Sequence, residues 1–499
     1  MAGRPLIALD IGSSTLRALV GTVPGGVLGM ASAPLCYVNT EGSGPLAREF
    51  EPDRLFARAG ELVAEALEQG QLKGPQVAAI GVTSQRQGSV FLDGNGRELY
   101  AGPNTDLRAA MEGAVIDEEM GAEVYRVTGR LPSLMFTPAR LRWFHRHRPS
   151  AYDRMSHVLA IAGWMAYRMT GIMCCEPSLA GEVGLLDVAS RERCTGLFER
   201  LGIAPSLFPP LVEAGTQVGG LRADVARSWG LPAGTPVTLA GPDTQSGLVG
   251  MGAVTPGMTG LVAGWSCSLQ TVTAGPRWDE KKRTWVGLMP TKAGWVAESN
   301  MGDGGNAYDW LVNTVVCDQD SFERAESMAS EAAPGAGGTM AFLGPGPGSM
   351  PSAGLRQGGF VFYTPLSFQR VSKGQLLRAA LENIAYSARG NLETLGEVTG
   401  QDAEAVHLGG GLSRSTTFCT LLANVLGREV HCSVLPEVST WGALLSAATC
   451  AGEYSSLDEA ARDGHLRYHA FAPSPADSAE YLEHYQRWRE TYHAIQEVA

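Results

Sequence analysis

Short apolar runs alternate along the chain with segments in which apolar residues recur every three or four positions. The run at residues 6–9 is followed by small residues and then by a second run at residues 16–20, a spacing typical of two strands joined by a tight turn. Between residues 55 and 67 the apolar positions have a helical period, and a β-branched segment follows at residues 77–83. This order of strands and helices predicts an α/β fold.

The same order of elements starts again in the second half of the chain. Residues 260–272 are a strand, a turn of small residues and another strand, and Ser372 with Gln375 forms a capping box at the start of a helix. A further strand at residues 405–408 leads into a glycine-rich turn and a helix. We therefore predict an internal duplication, in which each of two domains contributes one strand hairpin. The glycine and proline tract at residues 334–359 is predicted to be a loop.

Two aspartates each follow a buried-type strand and stand two positions from a glycine. Asp10 stands before a turn of small residues, and Asp243 follows residues 237–239 in a Gly-Pro-Asp sequence. Backbone N–H groups of such a turn can bind phosphate oxygens. Phosphoryl transfer uses one carboxylate near a magnesium ion and another that orients the attacking hydroxyl. The pair favours this chemistry, although each motif is also common in ordinary turns.

Composition narrows the class of protein. A chain of 499 residues is expected to form two domains, and 44% hydrophobic with 18% charged residues is typical of a globular protein. The formal net charge of −12 argues against nucleic acid or an anionic membrane as partner. No apolar run approaches the roughly 20 residues that span a bilayer, so we expect a cytoplasmic protein. The nine cysteines include no Cys-x-x-Cys pair, which predicts reduced thiols rather than a zinc site.

Three other enzyme classes are poorly supported by the motifs. The chain contains no Gly-Lys dipeptide, which excludes a P-loop, and no Gly-x-Gly-x-x-Gly follows the first strand. Residues 264–268 are similar to a nucleophile elbow, but the last position is serine rather than glycine. A serine hydrolase and a dinucleotide-binding enzyme are therefore both disfavoured.

Seven motifs stand in the order that they have in FGGY carbohydrate kinases, and the chain resembles that family from Leu6 to about Gly452. The motifs are residues 10–14, 81–85, 106–108, 230–237, 241–243, 409–411 and 442–443. The resemblance implies two duplicated actin/hexokinase-like (ribonuclease H-like) α/β domains around a catalytic cleft. It places the first domain, on the sugar side, at residues 1–246. The second domain, on the ATP side and with a C-terminal helical tail, is placed at residues 247–499.

The resemblance also assigns expected roles to individual residues. Asp243 would be the catalytic base, and Asp10 with Asp243 would lie at a Mg²⁺ ion. The residues expected to bind the sugar are Arg86, Gln87, Asp106, Arg108, Asp243 and Gln245. The residues expected to bind ATP are Gly12, Ser13, Ser14, Arg17, Gly264, Ser266, Gly410, Gly411 and Ser415. Two structural alternatives stay open, namely a local ion pair between Asp106 and Arg108 and a simple strand-to-helix turn at the glycines.

The chain departs from the family pattern at several positions. Trp265 stands in the second phosphate hairpin where Gly-Thr is usual, the tract near Gly344 replaces a Gly-Glu-Arg-x-Pro loop, and Asn424 replaces an aspartate. Residues 243–247, with Glu298 and Ser299 further on, are more similar to the autoinducer-2 kinase branch than to glycerol kinase. Arg86 and Gln87 stand where xylulokinases usually carry Met-His.

The function implied by the resemblance is ATP- and Mg²⁺-dependent phosphorylation of a hydroxyl on a small sugar or polyol, such as a pentulose of the xylulose type. Two alternatives are an autoinducer-2-type kinase and a non-catalytic nucleotide-binding sensor of the same superfamily. The expected partner is the small-molecule substrate, with no nucleic acid and no membrane. A homodimer is compatible with the sequence.

Overall fold

The computed structural model describes residues 3–292, 294–317, 321–348 and 357–498. Its strands are β1 (Leu6–Ile11), β2 (Thr15–Thr22), β3 (Gly26–Pro34), β4 (Ile80–Ser84), β5 (Ser89–Asp93), β6 (Glu98–Gly102), β7 (Met155–Ala160), β8 (Leu186–Asp187), β9 (Glu192–Arg193), β10 (Gln217–Gly220), β11 (Pro236–Pro242), β12 (Thr259–Ala263), β13 (Cys267–Thr273), β14 (Trp285–Leu288), β15 (Trp295–Asn300), β16 (Met340–Phe342), β17 (Gly359–Val361), β18 (Ala405–Gly409), β19 (Glu429–Ser433) and β20 (Tyr468–Phe471).

Its helices are α1 (Pro52–Gln69), α2 (Ala110–Thr128), α3 (Thr137–His147), α4 (Pro149–Tyr152), α5 (Ile161–Thr170), α6 (Pro177–Glu182), α7 (Thr195–Arg200), α8 (Ala223–Trp229), α9 (Asp243–Met251), α10 (Gly304–Val315), α11 (Ser321–Glu331), α12 (Lys373–Thr399), α13 (Thr416–Leu426), α14 (Val438–Cys450), α15 (Leu457–Asp463) and α16 (Pro475–Val498). None of the helices in the described part of the chain is long and apolar enough to cross a membrane.

The two large sheets share the order and direction of six strands, and the second sheet has β14 as a seventh. In the first sheet the strand order is β10-β11-β4-β1-β2-β3, with β1 antiparallel to β2 and parallel to β4. In the second sheet the order is β14-β15-β13-β12-β18-β19-β20, with β12 antiparallel to β13 and parallel to β18. The hairpins β1–β2 and β12–β13 therefore occupy equivalent positions, and the predicted duplication and α/β fold are confirmed.

Helices α9 and α14 connect the two domains. Helix α9 follows β11 of the first sheet but packs on β12 and β18 of the second, whereas α14 follows β19 and packs on β1, β4 and β11. The two helices touch along their backbones, because a Cβ atom at Gly442 would lie 1.9 Å from the carbonyl oxygen of Ser246. This contact explains the small residues of α14. The predicted domain boundary at 246/247 falls inside α9.

Several local predictions hold in detail. Residues 55–67 lie in α1. The Ser372 hydroxyl accepts a hydrogen bond of 3.2 Å from the N–H of Gln375, and the side-chain oxygen of Gln375 accepts one of 2.8 Å from the N–H of Ser372. The predicted loop at residues 334–359 is wrong in part, because it contains β16, which pairs with β17 in a small antiparallel sheet. Residues 349–356 of that prediction lie outside the described residues.

Candidate active site

Asp10 lies at the end of β1, where the first hairpin turns. Its side chain is buried, and Arg17, its register partner on β2, places Nη1 3.9 Å from Oδ2. Thr440 on α14 donates a hydrogen bond of 3.0 Å to the same oxygen. Burial raises the pKa of Asp10, and Arg17 and Thr440 oppose that effect. The other oxygen, Oδ1, is buried and has no hydrogen-bond partner in the described chain.

Asp243 is the first residue of α9 rather than part of a turn. Strand β11 brings it to the carboxyl edge of the first sheet, and its Oδ1 accepts a hydrogen bond of 2.8 Å from the N–H of Thr244. Burial raises the pKa of Asp243 to about 7, Arg86 lowers it, and Asp10 raises it further. The charge of Asp10 therefore acts on the carboxyl group of Asp243.

A cluster of buried charged side chains lies beside Asp243. Arg86 follows β4 and forms an ion pair with Glu298 on β15 of the second domain, while its Nη1 is 3.7 Å from Glu182 at the end of α6. Arg130 donates a hydrogen bond of 2.5 Å from Nη2 to Glu182. The Arg86 and Arg130 guanidinium groups lie 5.5 Å and 5.1 Å from the ring centre of Trp285 on β14. This cluster joins the first domain to the second.

Side-chain amides of glutamine residues surround the cluster, and one of them links it to α9. Gln245 donates a hydrogen bond of 2.6 Å to Glu182, and Gln270 on β13 donates one of 3.0 Å to Glu298. Gln87 lies 3.5 Å from Glu182 and has a positive φ of 59°, a backbone conformation that is uncommon for non-glycine residues. The structure therefore brings together four of the residues predicted for the sugar, namely Arg86, Gln87, Asp243 and Gln245.

Asp106 and Arg108 form the ion pair that the sequence left open as an alternative. Arg108 donates from Nε to both Asp106 oxygens at 3.0 Å and 2.8 Å, and from Nη2 to Glu49 at 2.7 Å. Its guanidinium also lies 4.8 Å from the ring centre of Tyr100. Both side chains are almost fully buried in the first domain. Their contact with a sugar stays a prediction.

The turns of the β1–β2 and β12–β13 hairpins are each closed by a hydrogen bond from the N–H of a glycine. In the first, the N–H of Gly12 bonds to the Thr15 carbonyl at 3.0 Å, and Asn104 donates a hydrogen bond of 2.8 Å to the Ser13 hydroxyl. In the second, the N–H of Gly264 bonds to the Ser266 carbonyl at 3.1 Å. Ser14 lies in the first turn, and Trp265 at the tip of the second is exposed. The phosphate contacts predicted for these residues stay predictions.

The glycine-rich turn after β18 lies against the second hairpin. Gly410 has a φ of +98°, and a Cβ atom there would lie 2.5 Å from the carbonyl oxygen of Ala263. Gly411, by contrast, has open space around its Cα. Ser415 begins α13, accepting a hydrogen bond from Phe418 and donating one of 2.6 Å to Glu326. Both a nucleotide site and the strand-to-helix alternative are consistent with this arrangement.

Asn424, which replaces the usual aspartate, has a structural role here. Its side-chain oxygen accepts a hydrogen bond of 2.8 Å from the N–H of Ser474, and its amide donates one of 3.2 Å to Asp477. These bonds attach α13 to the start of α16.

The acidic residues fit a magnesium ion that is held mainly by a nucleotide. Within the described ranges, no group of three or more His, Cys, Asp or Glu side chains is arranged to hold a metal. Magnesium usually keeps several waters and takes only one or two protein carboxylates beside phosphate oxygens. The unpartnered Oδ1 of Asp10, close to the charge of Asp243, meets that requirement.

Several residues of this site were not predicted from the sequence. They are Arg130, Glu182, Gln270 and Trp285, and Glu298 was noted only as a branch marker. Arg130 and Glu182 are 52 positions apart, and neither belongs to a recognisable motif. Glu298 could have been noticed in the sequence, because it is a charged residue within β15, a strand whose other residues are mostly apolar.

Comparison with known proteins identifies the family of this chain. The N-terminal domain model of the FGGY family of carbohydrate kinases matches residues 6–250, and the C-terminal domain model matches residues 261–451. The chain belongs to the FGGY family of carbohydrate kinases. It is therefore an enzyme of the class that transfers a phosphoryl group to a hydroxyl acceptor.

Relatives of this FGGY kinase include curated proteins and solved structures. It is 28% identical to the autoinducer-2 kinase of Salmonella paratyphi B over 98% of this chain and 94% of that protein. The xylulose kinase structure from Rhodospirillum rubrum covers 99% of both chains with a TM-score of 0.83 and 24% identity. The gluconate kinase structure from Lactobacillus acidophilus also covers 99% of both chains, with a TM-score of 0.86 and 18% identity. These two structures share the fold of this FGGY kinase.

Proposed function

We propose that this FGGY kinase transfers the γ-phosphoryl group of ATP to a hydroxyl of a small sugar or polyol, with Asp243 as the base. The observation that carries the proposal is the position of Asp243 at the start of α9, beside both Arg86 and Asp10. A carboxylate with a pKa near 7 can accept a proton from an alcohol as the new bond to phosphorus forms.

The proposed step conserves atoms and charge. The acceptor oxygen forms a bond to the γ-phosphorus, the bond from that phosphorus to the β-phosphate oxygen breaks, and ADP leaves. The hydroxyl proton passes to Asp243, and we assign it to Oδ2 because Oδ1 already accepts the Thr244 N–H. The proton then returns to solvent before the next turnover.

The other residues would hold the two substrates in place. Turns of the two hairpins, with Ser13, Ser14 and Ser266, are proposed to donate backbone and hydroxyl hydrogen bonds to the phosphates. Asp10 would hold Mg²⁺, which neutralises charge on the phosphate oxygens when it is bound. Gly410 and Gly411 are proposed to lie against adenine. Arg86, Gln87 and Gln245 are proposed to position the acceptor.

An assay of ADP release with MgATP tests the proposal. The acceptors are D-xylulose, D-ribulose, xylitol, glycerol and the linear autoinducer-2 precursor. We expect turnover with one of them, and a loss of about 100-fold or more in kcat for Asp243→Asn with ATP binding retained in calorimetry. Asp153→Asn is the control, because Asp153 is exposed and lies after α4. Unchanged turnover in Asp243→Asn would refute the catalytic assignment.

Two further candidates are decided by the same assay. The autoinducer-2 precursor is favoured by the similarity to autoinducer-2 kinases over nearly the whole chain. A non-catalytic sensor would bind ATP but release no ADP with any acceptor.

A further inference from the structure

The arginines beside Asp243 are already paired with protein carboxylates. Arg86 contacts both Glu298 and Glu182, and Arg130 contacts Glu182. All four side chains are at most 6% exposed. Such pairs keep their charges close together in a medium that screens them weakly. The positive charges are therefore neutralised before any ligand enters.

The formal charge of this cluster is negative. Arg86 and Arg130 contribute +2, and Glu182, Glu298 and an ionised Asp243 contribute −3, which leaves −1. A sugar acid would bring a further negative charge beside Asp243 without an unpaired arginine to receive it. Like charges in a buried site disfavour binding strongly.

The cluster nevertheless has polar atoms suited to uncharged groups. Nε and Nη1 of Arg130 and Oε1 of Gln270 are buried and have no hydrogen-bond partner among the described residues. Buried polar atoms without partners are costly, so a ligand or water that bonds to them is favoured. Arg130 can donate to a carbonyl or hydroxyl oxygen, and Gln270 can accept from a hydroxyl.

We infer that Glu182 and Glu298 are specificity-determining residues, which restrict the acceptor to uncharged sugars and polyols by neutralising Arg86 and Arg130. The inference rests on the proposed function, since it concerns the acceptor at Asp243. Replacing either glutamate with glutamine keeps its shape and most of its hydrogen bonds. The replacement also leaves one arginine charge available to a carboxylate.

Binding is measured by calorimetry in the absence of ATP, with an uncharged ligand and an acid of equal length, such as xylitol and xylonate or ribitol and ribonate. The productive acceptor is added if the kinase assay identifies one. We expect the wild-type protein to bind the uncharged ligand at least about tenfold more tightly. Glu182→Gln and Glu298→Gln should each reduce that preference by about tenfold or more. The control is Glu382→Gln, because Glu382 is a buried glutamate that pairs with Arg378 within α12.

Three results would overturn the inference. They are equal binding of the acid and the uncharged ligand by the wild-type protein, equal changes for both ligands in the glutamine variants, and binding of no uncharged ligand. The wild-type comparison does not depend on the folding of any variant. Binding of uncharged ligands without ADP release in the kinase assay would refute the proposed function alone. Efficient phosphorylation of xylonate or ribonate, added as further acceptors in the ADP-release assay, would support the kinase and refute this inference.

Discussion

Thr440 and Asp10 are joined by a hydrogen bond of 3.0 Å although they stand 430 positions apart in the chain. The bond exists because α14, which follows a strand of the second sheet, packs on β1 of the first. The carboxylate that is proposed to hold Mg²⁺ is therefore oriented by the packing between domains. Its other oxygen, Oδ1, is left for a ligand.

Thr440→Val should weaken the binding of the Mg²⁺ ion that supports activity. Valine has the shape of threonine but donates no hydrogen bond, so the pKa of Asp10 rises further and its charge is less stable. We expect the Mg²⁺ concentration for half-maximal rate to increase by about threefold to tenfold. Thr440→Ser keeps the hydroxyl and is the control. An unchanged Mg²⁺ requirement in Thr440→Val would contradict the role of Asp10.

The pH dependence of kcat/KM should report Asp243. Since burial raises the pKa of this carboxyl to about 7 and the base must be ionised, activity should fall as the pH decreases below about 7. Arg86 lowers that pKa. Arg86→Gln should therefore move the acid limb of the profile to higher pH. A shift in the opposite direction would exclude Asp243 as the titrating group.

The free energy of unfolding should also depend on the protonation of Asp243. Folding favours the protonated form of this carboxyl, whereas catalysis needs the ionised form. The pKa of Asp243 is about 7 in the folded protein against a model value of 3.8, so the folded state binds the proton more tightly. The stabilisation from the protonated form is complete below 3.8 and is lost as the pH rises through about 7. Asp243→Asn should consequently raise the Tm more at pH 8 than at pH 5. An equal change in Tm at both values would contradict this linkage.

Removing only Arg86 from its ion pair with Glu298 should destabilise the protein more than changing both residues. Arg86→Met leaves the carboxylate of Glu298 buried without its nearest cation, and we expect a cost of about 3–5 kcal/mol in the free energy of unfolding. Adding Glu298→Gln removes the unpaired charge and keeps a partner for Gln270, so part of that stability should return. Urea unfolding of both variants tests this. A double variant no more stable than Arg86→Met would show that the pair is unimportant.

Two neighbouring glycines should respond differently to alanine. Gly410→Ala places a Cβ atom 2.5 Å from the backbone of Ala263 at a φ of +98°, and should destabilise the protein by about 1–3 kcal/mol. Gly411→Ala meets no atom within 4 Å, so the Tm should be unchanged. If adenine lies against Gly411, calorimetry should show ATP binding weakened by about tenfold. Unweakened binding would place the nucleotide elsewhere.

The sequence predicted the fold and the strand ends at which Asp10 and Asp243 stand. Both hairpins, the capping box at Ser372 and the strands that end near Asp10 and Asp243 are found in the structure. The contacts of Asp106 and Arg108 were harder to predict, because the same sequence motif is compatible with an ion pair between them and with contacts to a ligand. Arg130 and Glu182 could not be predicted, because nothing near either residue in the chain marks it.

Strands, turns and caps follow from interactions within a few residues, and motif order identifies the family because those local pieces recur together. The pKa of Asp243 and the pairing of Arg86 with Glu298, 212 positions away, depend instead on how the domains meet. The burial of a side chain and the charges around it depend on groups that come from distant segments of the chain. They exist only once α9 and α14 have packed between the two sheets.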